Sequence, residues 1–136
     1  EHPASRFVAG FIGTANLFDG RIVSAGQGIV RLEAPRCGAT LSVLHDGSAE
    51  VGAEASVAVR PEKLRLGAVE GDNTLAATVE EVAFRGEATL CRARLASGLA
   101  LTVSLPNRAR QGGDAPLPGA TVWLGFAPAD AVLLTR

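Results

Sequence analysis

An internal repeat is the feature that most constrains how this chain of 136 residues can fold. Residues 52–66 return as residues 119–133, and in both copies a glycine precedes a predicted strand that a proline ends nine residues later. Val57 falls on Leu124, so the same face of the strand is apolar in each copy. An offset of roughly sixty residues is too long for a solenoid and is typical of two half-barrels built by duplication.

The spacing of apolar residues predicts the secondary structure. Residues 4–12 carry apolar side chains at helical spacing, and Gly13 can end a helix in the left-handed conformation, so a short N-terminal helix is expected. Beyond it the period changes to two, which predicts an all-β core of about eight to ten short antiparallel strands. The strand candidates lie near residues 20–25, 28–33, 39–45, 55–60, 74–84, 86–96, 99–105 and 120–127.

Turn signals and strand length together indicate a barrel. Asp46 and Gly47 are the clearest hairpin signal, because both residues tolerate the positive φ of a type I′ turn. Residues 107–118 are dense in glycine, proline and charge and predict a loop. Closed or nearly closed barrels remove the exposed edges that strands this short would otherwise leave. The expected fold is therefore a duplicated β barrel with one short N-terminal helix.

Composition argues against a nucleic-acid partner and against a membrane span. The net charge of -1 leaves no basic stripe for a phosphate backbone. The five phenylalanines and the one tryptophan are predicted to lie mostly at inward or helical positions, where they cannot stack on bases. No segment approaches the roughly 20 apolar residues that a membrane-spanning helix needs. We therefore expect no binding to nucleic acid.

The residue types that carry catalysis or bind metals are not clustered in this sequence. The two cysteines and two histidines are too widely spaced for a metal site, and there is no GxxxxGK[ST] loop to hold a nucleotide. Glu80 and Glu81 are adjacent on a predicted strand, so their side chains should point to opposite faces and cannot share a substrate. The sequence thus predicts no catalytic residue, metal or bound cofactor in this chain.

Residues 60–63 form the most suggestive polar cluster. Arg60 and Glu62 could pair locally where the strand ends, which would contribute at most about 1 kcal/mol if the pair is exposed. The second copy makes the same turn with Ala-Pro-Ala at 127–129, so the turn itself does not require the charges. The alternative interpretation gives Arg60, Glu62 and Lys63 a role in an interface or an interdomain contact.

Phe7 and Phe11 lie on the apolar stripe of the predicted N-terminal helix. Such a stripe usually packs into a core. It could instead belong to a surface that another part of a longer polypeptide covers. Phe7 and Phe11 are therefore further interface candidates.

Four segments resemble a known family, the ATP-binding subunits of bacterial ABC importers, in the C-terminal region called the TOBE or regulatory domain. They are residues 1–16 (EHPASRFVAGFIGTAN), 59–66 (VRPEKLRL), 78–86 (TVEEVAFRG) and 125–131 (GFAPADA). Residues 11–20 (FIGTANLFDG) are most similar to the spermidine/putrescine type, although iron, sulfate and sugar importers share much of this pattern.

The resemblance implies a fold, a division of the chain and a role. The fold would be an oligonucleotide-binding-like (OB-like) β barrel. Residues 1–16 would be a helical segment leaving a nucleotide-binding domain that this sequence does not contain, and residues 17–136 would be the regulatory domain. Its half-repeats would cover about 17–70 and 71–136. The domain would control how two ATPase subunits pack and thereby control transport, with polyamines as the expected cargo.

The implied partners are the chain's own upstream ATPase domain, a second identical subunit and the integral membrane permease subunits. ATP and magnesium would belong to the upstream domain, because the nucleotide-binding, signature and hydrolysis motifs are absent here. The implied location is the cytoplasm, peripheral to the inner face of the cell membrane. Ala129 stands where an acidic residue often follows the proline in this family, which weakens the expectation of a charged contact there.

An alternative function belongs to a different class. The duplicated barrels that this chain resembles can hold oxyanions such as molybdate between their halves. The chain could therefore be a small-ligand barrel that binds an oxyanion or a metabolite. Binding of molybdate or a related oxyanion at micromolar concentration would favour this alternative over a packing role.

Overall fold

The structure is a computed structural model that describes residues 15–106 and 116–135. These residues form an all-β fold, as predicted, with no α-helix in the described ranges. Three one-turn 3-10 helices occur at Pro35–Cys37, Pro61–Lys63 and Pro128–Asp130. The strands are β1 (Asn16–Gly26), β2 (Ile29–Ala34), β3 (Ala39–Leu44), β4 (Glu54–Val59), β5 (Arg65–Leu66), β6 (Asn73–Arg85), β7 (Ala88–Arg94), β8 (Ala100–Pro106), β9 (Thr121–Phe126) and β10 (Ala131–Thr135).

Two predictions fall on residues outside the described ranges. The N-terminal helix over residues 4–12, with Phe7 and Phe11, is one of them. Residues 107–115 of the predicted loop are the other.

The strands form two five-stranded antiparallel sheets with the same internal order. The first sheet is β10-β4-β1-β2-β3 and the second is β5-β9-β6-β7-β8. Each sheet takes one end strand from the other repeat, because β10 pairs with β4 and β5 pairs with β9. The predicted duplication is confirmed, and this strand exchange ties the two repeats into one unit.

The two repeats share details of backbone geometry as well as strand order. Pairing shifts register just after Ile22 in β1 and just after Val79 in β6, which marks a β-bulge at the same place in each repeat. Gly52 and Gly119 both have φ near +90°. Their N–H groups donate to the carbonyls of Ile22 and Val79 at 2.7 and 2.8 Å. Glycine is suited to this turn because it has no Cβ to clash at positive φ.

The inward faces of both sheets pack into one large apolar cluster. Phe18 of β1 and Phe126 of β9 stack across it, with ring centroids 5.9 Å apart and planes 8° from parallel. This pair joins the two sheets through large aromatic side chains, which bury much apolar area each. Other side chains buried to the same degree are Ile22, Leu32, Leu41, Leu64, Leu101, Leu124, Val43, Val57, Val59 and Val79.

The predicted hairpin at Asp46 and Gly47 is wrong. In the part of the chain that the structure describes, β3 pairs with β2, whereas β4 pairs with β1 and β10. Positive φ values of 56° and 79° occur instead at Gln27 and Gly28, between β1 and β2. An Asp-Gly pair shows that a tight turn is allowed, but the strand pairing is decided by the core.

The prediction that the aromatic residues mostly face inward is partly wrong. Phe18 and Phe126 are buried, but Phe84 and Trp123 are more than half exposed. Trp123 lies on the outer face of β9, where it pairs across from Ala76. The period of two places alternate residues on opposite faces, but it does not say that the outer face must be polar.

Candidate functional site

The edge strands of the two sheets are covered by the same device in each repeat. The 3-10 helix Pro61–Lys63, which follows β4, packs against β8 of the other sheet. The 3-10 helix Pro128–Asp130, which follows β9, packs against β3. Pro61 and Pro128 end their strands and begin the 3-10 helices that pack on the opposite sheet. This explains why the repeat keeps a proline at this position.

Asn16, in the first sheet, forms side-chain hydrogen bonds to the backbone of the second sheet. Its Nδ2 donates to the carbonyls of Thr102 at 2.9 Å and Val59 at 3.2 Å, and its Oδ1 accepts from the Thr102 N–H at 2.8 Å. Thr102 lies in β8, an edge strand, so the amide side chain satisfies backbone groups that no neighbouring strand can reach.

Asn73 makes the reciprocal connection from the second sheet to the first. Its Nδ2 donates to the carbonyls of Ser42 at 2.9 Å and Phe126 at 3.3 Å, and its Oδ1 accepts from the Ser42 N–H at 2.7 Å. Ser42 lies in β3, which is the edge strand of the first sheet that corresponds to β8 in the second. Sequence reasoning missed both asparagines, although each opens a long strand at the matching place of its repeat.

Lys63 and Asp130 bring the two repeats together at the surface. They occupy the same position in their 3-10 helices, and Nζ of Lys63 lies 3.9 Å from Oδ1 of Asp130. Both side chains are partly exposed, so this ion pair is expected to contribute no more than about 1 kcal/mol. The position of this ion pair matters, because both residues line a groove on the surface.

The groove has a volume of about 310 Å³ and lies on the outer side of β4 and β10. Its floor includes Ala58, which is 3% exposed, and its rim carries Arg60, Lys63 and Asp130. Leu17 and Val132 pair with Ala58 from the two neighbouring strands and are almost half exposed. We call this feature the β4 groove; its lining is Ala15, Ala58, Arg60, Lys63, Ala129, Asp130 and Val132.

The structure brings two of the predicted interface residues to the β4 groove. Arg60 and Lys63 line it, whereas Glu62 does not. Arg60 Nη1 lies 3.9 Å from Glu62 Oε2, and both side chains are more than half exposed. The local pairing considered from the sequence therefore exists, but it is long and exposed and leaves the guanidinium accessible. An apolar floor with a polar rim is typical of protein contact surfaces.

Glu80 and Glu81 do not point to opposite faces as predicted. The β-bulge after Val79 leaves both carboxylates exposed, where each meets an arginine of β7. Arg94 Nε donates to Glu80 Oε2 at 2.5 Å and Arg94 Nη2 to Glu80 Oε1 at 3.2 Å. This hydrogen bond lowers the pKa of Glu80 below its usual value, so the carboxylate is stabilised in its ionised form. It is therefore poorly suited to act as a general acid.

The two thiols are also poorly suited to chemistry. Burial raises the pKa of Cys37 to about 11, although Arg36 opposes the shift, and burial raises the pKa of Cys91 as well. A thiol reacts through its thiolate, which is scarce at neutral pH when the pKa is high. Cys91 is buried as expected from its position on β7.

Residues 15–106 and 116–135 show no cluster of three His, Cys, Asp or Glu side chains that could hold a metal ion. In the same ranges every buried side-chain nitrogen or oxygen has a hydrogen-bond partner. The structure also contains, within the residues it describes, no helix with the length and apolar character to cross a membrane. Within the described residues, the β4 groove combines an apolar floor with accessible cations, and it is therefore taken as the candidate contact site.

Comparison with known proteins identifies a domain family. The family model of the TOBE domain matches residues 57–134, which is more than half of the chain. The matched range contains the VRPE segment and both 3-10 helices that border the β4 groove. The resemblance inferred from the sequence segments is confirmed.

Several curated relatives are ATP-binding subunits of importers. The chain is 36% identical over 107 residues to spermidine/putrescine import ATP-binding protein PotA 1 of Pseudomonas aeruginosa, covering 79% of this chain and 29% of that protein. It is 31% identical over 138 residues to putrescine transport ATP-binding protein PotG of Escherichia coli, covering 99% and 37%. It is 34% identical over 126 residues to sn-glycerol-3-phosphate import ATP-binding protein UgpC of Salmonella choleraesuis, covering 91% and 32%. The chain spans about a third of the length of these relatives.

A solved structure shares the fold. The cytoplasmic molybdate-binding protein ModG, with molybdate bound, superposes with a TM-score of 0.76 over 89% of this chain and 96% of its own. The sequence identity is 17%, so this likeness concerns the fold alone. It supports the predicted OB-like, duplicated architecture.

Proposed function

This chain belongs to the TOBE domain family, and on that premise we propose that it is the regulatory and dimerisation domain of the ATP-binding subunit of an ABC-type importer. The proposal rests on one observation above all. Relatives named as import or transport ATP-binding proteins align over 79% to 99% of the chain while the chain spans only about a third of their length.

The proposed cargo is a polyamine. Two of the relatives described above are named for spermidine or putrescine, and the one named for sn-glycerol-3-phosphate is similarly related. This proposal concerns the parent transporter, because a regulatory domain need not touch the cargo. ATP and magnesium would bind to the parent's ATPase domain, and the parent would lie in the cytoplasm against the permease subunits.

The proposed mechanism is control by contact. The domain can influence ATP hydrolysis only if its packing has a different free energy in the open and closed ATPase dimers. The β4 groove supports this role, because accessible cations at Arg60 and Lys63 border an apolar floor. We propose that the charged rim of this groove, Arg60 and Lys63, together with the neighbouring Glu62, contacts the ATPase domain or the second subunit. Phe7 and Phe11 are proposed to contribute from the N-terminal side.

Paired variants of the full-length subunit test this proposal. The importer would be reconstituted in lipid vesicles, and cargo-stimulated ATP hydrolysis would be measured. Replacing Arg60 and Lys63 together by alanine should change the stimulated rate by roughly fivefold or more, the lower end of a typical allosteric coupling. The control replaces Arg31 and Arg36, which are exposed and outside the groove, and so makes the same change in charge. Equal rates for both variants and the wild type would count against the contact role of the groove.

The oxyanion-binding alternative remains a prediction. The likeness to the molybdate-binding protein shows the fold alone and gives no specific observation in its favour. Calorimetry of this chain with molybdate, tungstate, sulfate and spermidine separates the two functions. Micromolar binding of an oxyanion would favour the alternative, whereas no heat from any of the four fits a domain that works through protein contacts.

A further inference from the structure

We propose that the β4 groove is the docking site of the chain's own N-terminal segment, residues 1–14, whose Phe7 and Phe11 lie on its apolar floor. The proposal does not depend on any role in transport. It concerns what covers an outward-facing apolar surface of the first sheet.

Ala15, the first residue that the structure describes, lies at the groove. Ala15 packs in a small apolar cluster with Ala58 and Leu134, and Ala15 also lines the groove. Residue 14 is therefore attached at the edge of this surface. Phe11 is four residues before Ala15, so it cannot lie more than about 14 Å from it even in a fully extended chain. A tethered segment this short has a high effective concentration at the groove.

The duplication offers an internal comparison for this surface. In the first sheet the three outward positions around the groove floor are apolar, namely Leu17, Ala58 and Val132. The same positions of the second sheet carry Thr74, Gly125 and Arg65. The fold does not require apolar residues at these positions, because the second repeat forms the same sheet without them. The apolar floor is therefore specific to the sheet beside which the N-terminal segment ends.

The segment has the side chains to cover this floor. Phe7, Val8, Phe11 and Ile12 recur at helical spacing, which would form one apolar stripe. The stripe contains two aromatic residues, which bury large areas and pack well into apolar grooves. Leu17 and Val132 are 43% and 46% exposed, so a segment that covers them would remove apolar surface from contact with water.

The proposal can be tested by thermodynamic coupling in the complete chain of 136 residues. Phe11→Ser should raise the unfolding equilibrium constant roughly tenfold or more, as expected when a buried aromatic side chain is lost. Val132→Asp puts a charge on the groove floor and should remove most of that effect, so Phe11→Ser becomes nearly neutral in its presence. The control is Val69→Asp, which places the same charge at an exposed valine outside the groove and should leave the effect of Phe11→Ser intact.

A second measurement on the wild-type chain keeps the proposal falsifiable if a variant fails to fold. Nuclear Overhauser effects should link the ring protons of Phe11 to the methyl groups of Val132. In a mixture of labelled and unlabelled chains these effects should arise within one chain. Effects seen only between chains would show that a second copy occupies the groove and would overturn the proposal. Absence of both the effects and the thermodynamic coupling would overturn it as well.

Discussion

Asn16 and Asn73 stand at the same position of the two repeats, and each bonds through its side-chain amide to the edge strand of the opposite sheet. The two connections are reciprocal, so each sheet holds the other. Together with the exchanged strands β5 and β10, they make the two repeats depend on each other for their hydrogen bonds. This dependence is the structural basis for treating the chain as one cooperative module.

Replacing either asparagine by alanine should destabilise the whole domain. Asn16→Ala leaves the N–H and carbonyl of Thr102 without their partner, and Asn73→Ala does the same to Ser42. Each change should lower the free energy of unfolding by about 1–3 kcal/mol, the cost of leaving buried polar groups unsatisfied. Urea denaturation measures this value. Thr40→Ala, at an exposed position of β3, should change it by less than about 0.5 kcal/mol.

The same experiment reveals whether the two repeats unfold together. Circular dichroism and the fluorescence of Trp123, which lies in the second sheet, should report the same midpoint even for Asn16→Ala. Separate midpoints would show that the sheets unfold independently and would contradict the reciprocal dependence.

Two glycines of β1 should respond very differently to the same substitution. A Cβ on Gly20 would lie 2.1 Å from the carbonyl oxygen of Glu33, whereas a Cβ on Gly26 meets nothing within 4 Å. Because the clash is with backbone, Gly20→Ala should destabilise the fold by about 3 kcal/mol or more. Gly26→Ala should change the free energy of unfolding by less than about 1 kcal/mol. Thermal unfolding of both variants gives the comparison, and similar values would mean that β1 and β2 approach each other less closely.

The stacked pair of Phe18 and Phe126 should be the costliest apolar contact to remove. Phe126→Ala should lower the free energy of unfolding by about 3–5 kcal/mol, because it leaves a cavity between the sheets. Since this variant could be too unstable to purify, Phe126→Leu provides a milder change with a smaller loss. Phe84→Leu is a suitable comparison, because that side chain is 55% exposed. Equal losses for the two leucine variants would be inconsistent with the core described here.

The pairing of Arg94 with Glu80 should be visible in the titration of the carboxyl group. The hydrogen bond lowers the pKa of Glu80 from its ordinary value of 4.5. The ion pair therefore stabilises the fold at pH values above 4.5, and that stabilisation is lost as the pH falls through the lowered pKa. Arg94→Gln should raise the pKa of Glu80 toward the ordinary value in a carbon NMR titration.

Arg92 provides the matched control for this titration. Its Nε lies 3.9 Å from Glu81 Oε1, so it makes a looser pair with the neighbouring carboxylate. Arg92→Gln should shift the pKa of Glu80 much less than Arg94→Gln does. If both variants shift it equally, the specific hydrogen bond is not the main cause.

The sequence predicted β1–β4 and β6–β9 because their inward-facing residues alternate regularly along the chain. Alternation of apolar residues located β8 and β9 to within one or two residues, and the repeated proline marked where β4 and β9 end. The exchange of β5 and β10 was not predicted. Strand alternation says which face is buried, but it carries no information about which sheet a two-residue or five-residue strand will join.

The candidate site was predicted only in part, for a related reason. Charged residues after a strand drew attention to Arg60 and Lys63, whereas Ala58 and Val132 gave no signal, because small and β-branched residues are ordinary in strands. Asp130 lies in residues 125–131, one of the segments that resemble the family, but nothing in the sequence indicated that it forms an ion pair with Lys63. The two residues are 3.9 Å apart only because the strand exchange brings their 3-10 helices to the same surface.

The central claim is that this module acts through contacts that bias the ATPase subunits of a transporter. The most direct measurement compares cargo-stimulated ATP hydrolysis by the reconstituted importer with and without residues 17–136 of this chain. The proposal predicts that removal of the module uncouples hydrolysis from cargo, so the stimulated and basal rates become similar. Stimulation that is unchanged after removal would contradict it.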